Sequence, residues 1–251
     1  MATFTTPVSW LSGSLRIALI GVGGTGSEIL DELVQMHYLL CKLGGEGFSV
    51  TAFDPDIVSP ANVGRQRFLP NDVGYNKAEI LITKYRSFLG VDWKARPVAF
   101  KAEHADHFDL IITAVDKAQC RADIGKHWQK KNSSTLWLDC GNSRNDGNVI
   151  LGHLGTPPQT DSLRLPNVFD LYPVLAEMED NDTDSCSHAD AIAKQDYGVN
   201  KKASREAMSI LWNLMRHGSI DYHGAFFDLC TGTTTPLKID GLNWATFGYV
   251  A

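Results

Sequence analysis

The stretch that decides the fold is IALIGVGGTGSEILDEL, residues 17–33, read with FDPDIVSPANVGRQRF at residues 53–68. Residues 17–20 are apolar and β-prone and predict a buried strand, while Gly21, Gly23, Gly24 and Gly26 predict a turn that side chains would block. The residues after the turn predict a helix. Its free backbone N–H groups and the positive end of its dipole are a seat for a polyphosphate. Taken alone, Gly21-x-Gly23-x-x-Gly26 leaves the ligand open, because such turns also bind NAD or FAD, or merely pack closely.

Working outward, the pattern predicts a helix at about 25–41, a strand at 48–53, a polar loop at 54–66, a helix at about 76–89 and strands at 95–100 and 109–114. A helix at about 118–130 and a strand at 135–139 follow. Strands alternating with helices predict an α/β, Rossmann-like doubly wound sheet, mostly parallel, in one domain spanning residues 1–251. In such a sheet the ligand crevice lies beyond the carboxyl ends of the strands, so Gly21 to Gly26, Asp54 and Asp116 should face one edge. Past residue 150 the alternation weakens, and about 155–198 reads as a long polar crossover loop. Residues 202–216 then predict an amphipathic helix with Ala203, Ala207, Ile210, Leu211 and Leu214 on one face. The tail, HGAFFDLCTGTTTPLKID, alternates like a β-hairpin with TGTT at its turn.

Composition narrows the setting. Of 251 residues, 43% are hydrophobic and 21% charged, and no apolar run approaches the length needed to cross a bilayer. The opening MATFTTPVSW shows no secretory pattern. Five cysteines, at 41, 120, 140, 186 and 230, include no C-x-x-C pair, which argues for a reducing cytoplasm and against a cysteine zinc site. A net charge of −6 disfavours nucleic acid as the main partner.

The second phrase carries the chemistry. Asp54 follows the second strand and can accept hydrogen bonds from ribose hydroxyls, which a dehydrogenase would also want. A dehydrogenase does not need Asn62-x-x-Arg65-Gln66 with Lys77 beyond it, whereas a reaction that expels pyrophosphate needs cations there. Arg65 offers a fork of donors for phosphate oxygens and Lys77 a compact charge. Asp116, directly after a strand ending at the same crevice, suits either a Mg²⁺ ligand or the N-cap of the next helix.

The set Gly21-x-Gly23-Gly24-x-Gly26-Ser27, Asp54-x-Asp56-x-Val58-x-x-x-Asn62-x-x-Arg65-Gln66, Lys77 and Asp116 resembles the ThiF/MoeB/HesA family, the ubiquitin-activating-enzyme-like adenylyltransferases. Within it the chain is most similar to the branch found in bacterial PRTRC gene systems. The resemblance implies that Asp54 holds the ATP ribose, that Arg65 and Lys77 contact the phosphates, that Asp116 binds Mg²⁺, and that Asn62 and Gln66 shape the site together with Asp56. It implies attack by the C-terminal carboxylate of a small ubiquitin-like or sulfur-carrier protein ending in glycine on the α-phosphate of ATP. It further implies a homodimer and a conjugating-enzyme-like acceptor downstream. Many relatives carry zinc-binding cysteine pairs, absent here, and many receive an arginine from a neighbouring subunit's N-terminal helix, where this chain has only Arg16.

Family members that form thioesters place a cysteine before a helix in the crossover loop, and Cys186, in DTDSCSHADA, corresponds to it. A thiol there could take the acyl group from the adenylate. The neighbouring Glu179, Asp180, Asp182 and Asp184 act against thiolate formation. Cys41, Cys120, Cys140 and Cys230 read as ordinary buried thiols, and His104, His107, His153, His217 and His223 as structural or surface residues. Three alternatives stay open: adenylation without an enzyme thioester, an NAD-dependent oxidoreductase and an inactive binding scaffold.

Overall fold

The computed structural model describes residues 2–11, 13–158, 163–178 and 195–250. Its strands are β1 (Phe4–Thr5), β2 (Leu15–Ile20), β3 (Phe48–Phe53), β4 (Lys94–Arg96), β5 (Leu110–Thr113), β6 (Leu136–Asn142), β7 (Asp146–His153), β8 (Ser219–Ile220), β9 (Tyr222–Asp228) and β10 (Thr233–Lys238). The helices are α1 (Val8–Leu11), α2 (Gly24–Lys42), α3 (Lys77–Leu89), α4 (Ala118–Trp128), α5 (Val168–Leu171), α6 (Val199–Trp212) and α7 (Gly241–Ala245).

One eight-stranded sheet runs in the order β10-β9-β7-β6-β5-β2-β3-β4. The half from β6 to β4 is parallel throughout, and β7, β9 and β10 extend it with antiparallel pairs. Chain order reverses between β2 and β5, because β2 leads outward through β3 to β4 while β5 leads the other way to β6. A crevice opens at such a reversal. Strands covered on both faces should be apolar throughout. All four residues of β5 are buried, as are five of the six in β2, Arg16 being the exposed one.

The helices follow from local chemistry. α3 starts at the Asn76 cap, whose side chain accepts from the Glu79 N–H, and stops at Gly90, whose φ of 70° suits a residue with no Cβ. α6 buries Ala203, Ala207, Ile210 and Leu211, and Leu214 is buried in the turn that continues it, the face expected from their spacing; α6 packs against α2, β6, β7 and β9. It starts earlier than expected, after the left-handed Gly198, and ends in a π-helical turn over Asn213–His217.

Several expectations are corrected. β4 stops at Arg96 because Pro97 has no N–H to donate to a ladder. β7, which starts at Asp146, is a strand that the pattern does not predict; the Ser143 N–H bonds the Asp146 carbonyl at 2.9 Å and turns the chain back along β6. Within the expected crossover loop, Leu165, Val168 and Leu171 are buried, so residues 163–171 join the core. The tail hairpin turns at residues 229–232, two residues earlier than TGTT. The Asp228 carboxylate accepts from the Cys230 N–H, Gly232 takes a φ of 69°, and Thr233 and Thr234 belong to β10. Cys140 is buried and Cys120 partly so, but Cys41 and Cys230 are exposed. The C-terminal aromatics bury an edge, with Phe226 stacked on Phe247 at 5.7 Å and Trp244 inside the core. Among the described residues, no helix is long and apolar enough to cross a membrane.

Candidate active site

At the carboxyl ends of β2, β3 and β5 the chain builds one polar edge. The Gly21 N–H bonds the Phe53 carbonyl at 2.8 Å, and Gly21 has a φ of 81°. A Cβ at Gly21 would lie 2.7 Å from the Ala114 carbonyl oxygen, and one at Gly26 only 1.9 Å from the Gly21 carbonyl oxygen. These two glycines let the turn fold onto β5. Gly23 differs, because a Cβ there would meet only the Gln66 side-chain amide, at 3.9 Å. Gly23 is the N-cap of α2, no side chain caps that helix, and its first turn holds no acidic residue. The helix N-terminus is thus left open to an external anion.

Asp54 is buried, and its Oδ2 accepts from the Val22 N–H at 2.7 Å while its Oδ1 accepts from the Asp56 N–H at 2.9 Å. Burial raises the Asp54 carboxyl pKa, and the two N–H donors pull it the other way. Asp54 therefore braces the glycine turn from the next strand. Asn76, unnoticed in the sequence reading, donates to the Asp54 and Asp56 carbonyls at 2.8 and 3.0 Å, joining this turn to the start of α3. Lys77, the first residue of α3, is largely buried, and its Nζ pairs with Asp56 Oδ2 at 2.8 Å.

The segment between them is folded by Asn62. Its Oδ1 accepts from the Ser59 N–H at 2.8 Å, and its carbonyl accepts from the Gln66 N–H at 3.0 Å. Gln66 Oε1 is buried without a hydrogen-bond partner among the described residues. An orphaned acceptor costs about 1–3 kcal/mol. It lies where the missing Cβ of Gly23 leaves room, so the turn can accept a donor-bearing ligand. Arg67, the neighbour in sequence, instead clamps the loop to α2 through Glu28 at 2.8 Å and Asp31 at 3.2 Å.

Arg65 points to the other side. Its Nη1 donates to Gln195 Oε1 at 3.2 Å, and Asn200 Nδ2 donates to the same oxygen at 3.3 Å. Asn200, near the start of α6, also presents Oδ1 to the Thr25 hydroxyl at 2.9 Å, and that hydroxyl lies 2.8 Å from Asn142 Oδ1. Thr25, Asn142, Gln195 and Asn200 escaped the sequence reading because they lie on separate elements with no shared spacing.

Asp116 is exposed, three residues beyond β5, and the N-cap of α4 is Lys117, whose side chain makes no capping bond. Among the described residues no group of three or more His, Cys, Asp or Glu side chains could hold a metal ion. Below this edge, the buried Arg121 of α4 donates to Asp139 Oδ1 at 2.7 Å and to the Cys140 carbonyl at 3.0 Å, while Thr113 donates to Asp139 Oδ1. That ion pair locks α4 to the ends of β5 and β6. Arg16 pairs with Asp109 at 3.0 Å at the amino end of β2, the far end of the strand from Gly21. Cys186, His188 and the acidic residues 179–184 lie outside the described residues.

Comparison with known proteins places this edge in context. The ubiquitin-like modifier-activating enzyme 5 of Drosophila grimshawi is 27% identical over 156 residues, which cover 55% of this chain and 35% of that protein. The Drosophila willistoni protein of the same name is 29% identical over the same length. The chain spans about a third of the length of these relatives. Among solved structures, PaaA superposes with a TM-score of 0.63 at 15% identity, covering 91% of this chain and 65% of that one. Escherichia coli MccB with ATP superposes with a TM-score of 0.58 at 12% identity, covering 90% and 64%. These two likenesses show the Rossmann-like fold. The pattern of the ThiF family matches residues 11–232, a span holding the glycine turn, the loop from Asp54 to Lys77, and Asp116, and the chain therefore belongs to the ThiF family.

Proposed function

We propose that this chain uses ATP to adenylate the C-terminal carboxylate of a small ubiquitin-like or sulfur-carrier protein ending in glycine. The observation that carries the reading is the convergence, at one sheet edge, of an uncapped helix N-terminus, the open Gly23, the orphaned Gln66 Oε1 and the cations Arg65 and Lys77. Family membership and the activating enzymes among its relatives support it. A carboxylate oxygen of the carrier attacks the α-phosphorus of ATP, the bond from that phosphorus to the bridging oxygen of the β-phosphate breaks, and pyrophosphate leaves. A carboxylate needs no base, so the work of the site is alignment and charge neutralisation. In this reading Arg65 and Lys77 hold the phosphates, and Lys77 exchanges Asp56 for a phosphate oxygen. Asp54 keeps the turn in shape and takes the ribose, Asn62 and Gln66 shape the pocket, and Asp116 is the carboxylate assigned to Mg²⁺. Bound Mg²⁺ would neutralise phosphate charge.

The second step is transfer of the acyl group to Cys186, with the thiolate attacking the acyl carbon and AMP leaving. We assign the chain to the PRTRC branch and to the cytoplasm, acting as a homodimer that passes its product to a conjugating-enzyme-like acceptor.

Pyrophosphate–ATP exchange, measured with a carrier that ends in glycine, tests the first step. Lys77→Ala is expected to slow exchange by about 10²–10³-fold, and tight NAD binding with no ATP binding would overturn the assignment. For the second step, Cys186→Ala should keep exchange and lose a thiol-sensitive carrier adduct on denaturing gels. Exchange by the wild-type chain with no trappable adduct removes the thioester from the mechanism.

A further inference from the structure

One oxygen atom at this edge is shared by two donors from distant elements. Gln195 Oε1 accepts from Arg65 Nη1 at 3.2 Å and from Asn200 Nδ2 at 3.3 Å. Both bonds are long for N–H···O, and both end on a neutral amide. A phosphate oxygen offers the same two donors a charged acceptor, and charge-assisted bonds are shorter and about twice as strong.

Asn200 is held ready for that exchange. Its Oδ1 faces the Thr25 hydroxyl at 2.9 Å and Asn142 Nδ2 at 3.4 Å, and this fixes the oxygen inward and the NH₂ toward Gln195. It also stands over the phosphate end of α2, because a Cβ on Gly24 would come within 2.6 Å of Asn200 Nδ2. The amide is thus packed against the helix N-terminus that a polyphosphate would use.

We infer that Gln195 Oε1 holds the place of an ATP phosphate oxygen, so that Asn200 is the second donor, beside Arg65, of a phosphate subsite and Gln195 is its internal competitor. The inference rests on the ATP site proposed above. ATP binding then moves both donors from Gln195 to phosphate, and the Gln195 amide, two residues before the Tyr197–Gly198 turn into α6, is released.

Calorimetric titration of the full chain with ATP and Mg²⁺, and with adenosine as a ligand lacking phosphate, tests this, with thermal melts checking that each variant folds. Removing the competitor should help, so Gln195→Ala is expected to bind ATP about threefold to tenfold more tightly. Gln195→Glu, which pairs with Arg65 as a charge, should bind about tenfold more weakly or worse. Asn200→Asp keeps the Oδ1 anchor to Thr25 and replaces the donor with a negative acceptor, and it should lose more than about tenfold in ATP affinity. A residue that only supports the fold would instead lower the melting temperature and weaken ATP and adenosine together. Adenosine affinity should stay at the wild-type value in all three variants. The inference is overturned if Gln195→Ala binds ATP no more tightly than wild type, if Asn200→Asp binds it as well, or if adenosine affinity shifts in parallel. Wild-type chain that binds no ATP overturns the ATP site itself, an outcome distinct from the other three.

Discussion

Gly26→Ala is expected to cost about 4 kcal/mol or more of stability, beyond the usual 1–3 kcal/mol of an overpacked site, and to abolish measurable ATP binding. The added methyl would lie 1.9 Å from the Gly21 carbonyl oxygen and 2.8 Å from its carbon, and neither atom can rotate away as a side chain could. Relief requires the start of α2 to move off β2, and the uncapped N–H groups move with it. Gly23→Ala supplies the contrast. Its methyl meets nothing closer than 3.9 Å, so it should melt with the wild type while narrowing the space beside Gln66 and weakening ATP. Urea denaturation and ATP titration of both variants separate these effects. A Gly26→Ala protein with wild-type midpoint and affinity would show that the turn is not closed as described.

The other large effect is acid lability. His223 is buried, donates from Nδ1 to the Leu151 carbonyl at 2.6 Å and accepts at Nε2 from the Trp244 indole at 2.8 Å, so its surroundings fit the neutral ring. Burial pushes its pKa down to about 4. His153 accepts the Leu165 N–H at Nδ1 at 3.0 Å, and its pKa is pushed down to about 4 by burial and then by the Arg164 charge. Unfolded, each would titrate near 6.5. Because the folded pKa lies below the unfolded one, the unfolded chain takes up protons first. The contribution is complete above about pH 6.5 and is lost as pH falls toward 4, at about 1.4 kcal/mol per pH unit for each histidine. Burial also lowers the pKa of His37, in the same direction, while the raised Asp54 carboxyl has the opposite sign and acts in the carboxylate range. Between pH 6.5 and 5 the two buried histidines should together remove about 3 kcal/mol. Equal unfolding free energies at those two pH values would refute this.

Legibility followed the range of the determining interactions. β3 and α2 were readable because hydrophobic periodicity and glycine chemistry are local, and the α6 face was readable for the same reason. β7 was not, since a strand that returns antiparallel along β6 is defined by the Ser143–Asp146 turn and by a partner, β9, more than seventy residues later. Short segments such as α5 bury Val168 and Leu171 without the length to show a period. At the site, the motif residues from Asp54 to Lys77 were legible as a phrase. Their partners were not: Asn142, Gln195 and Asn200 come from β6, from the approach to α6 and from its first turn, and only folding brings them to Thr25 and Arg65. Arg67 shows the converse limit, since the next residue but one to Arg65 faces Glu28 and Asp31.

The small sheet formed by β1 and β8 has a consequence for synthesis. Phe4 pairs with Ile220 and Thr5 with Ser219, so β1 has no partner until some two hundred further residues have been made. At roughly 5–20 residues per second, that is a wait of roughly 10–40 s on the ribosome. During it, β2 to β6 can already close on their own crossovers, since all four of their parallel pairs lie between Leu15 and Asn142, well before β8. The polar edge at the carboxyl ends of β2, β3 and β5 can therefore form while the nascent chain is still tethered, and the joining of β1 to β8 comes later.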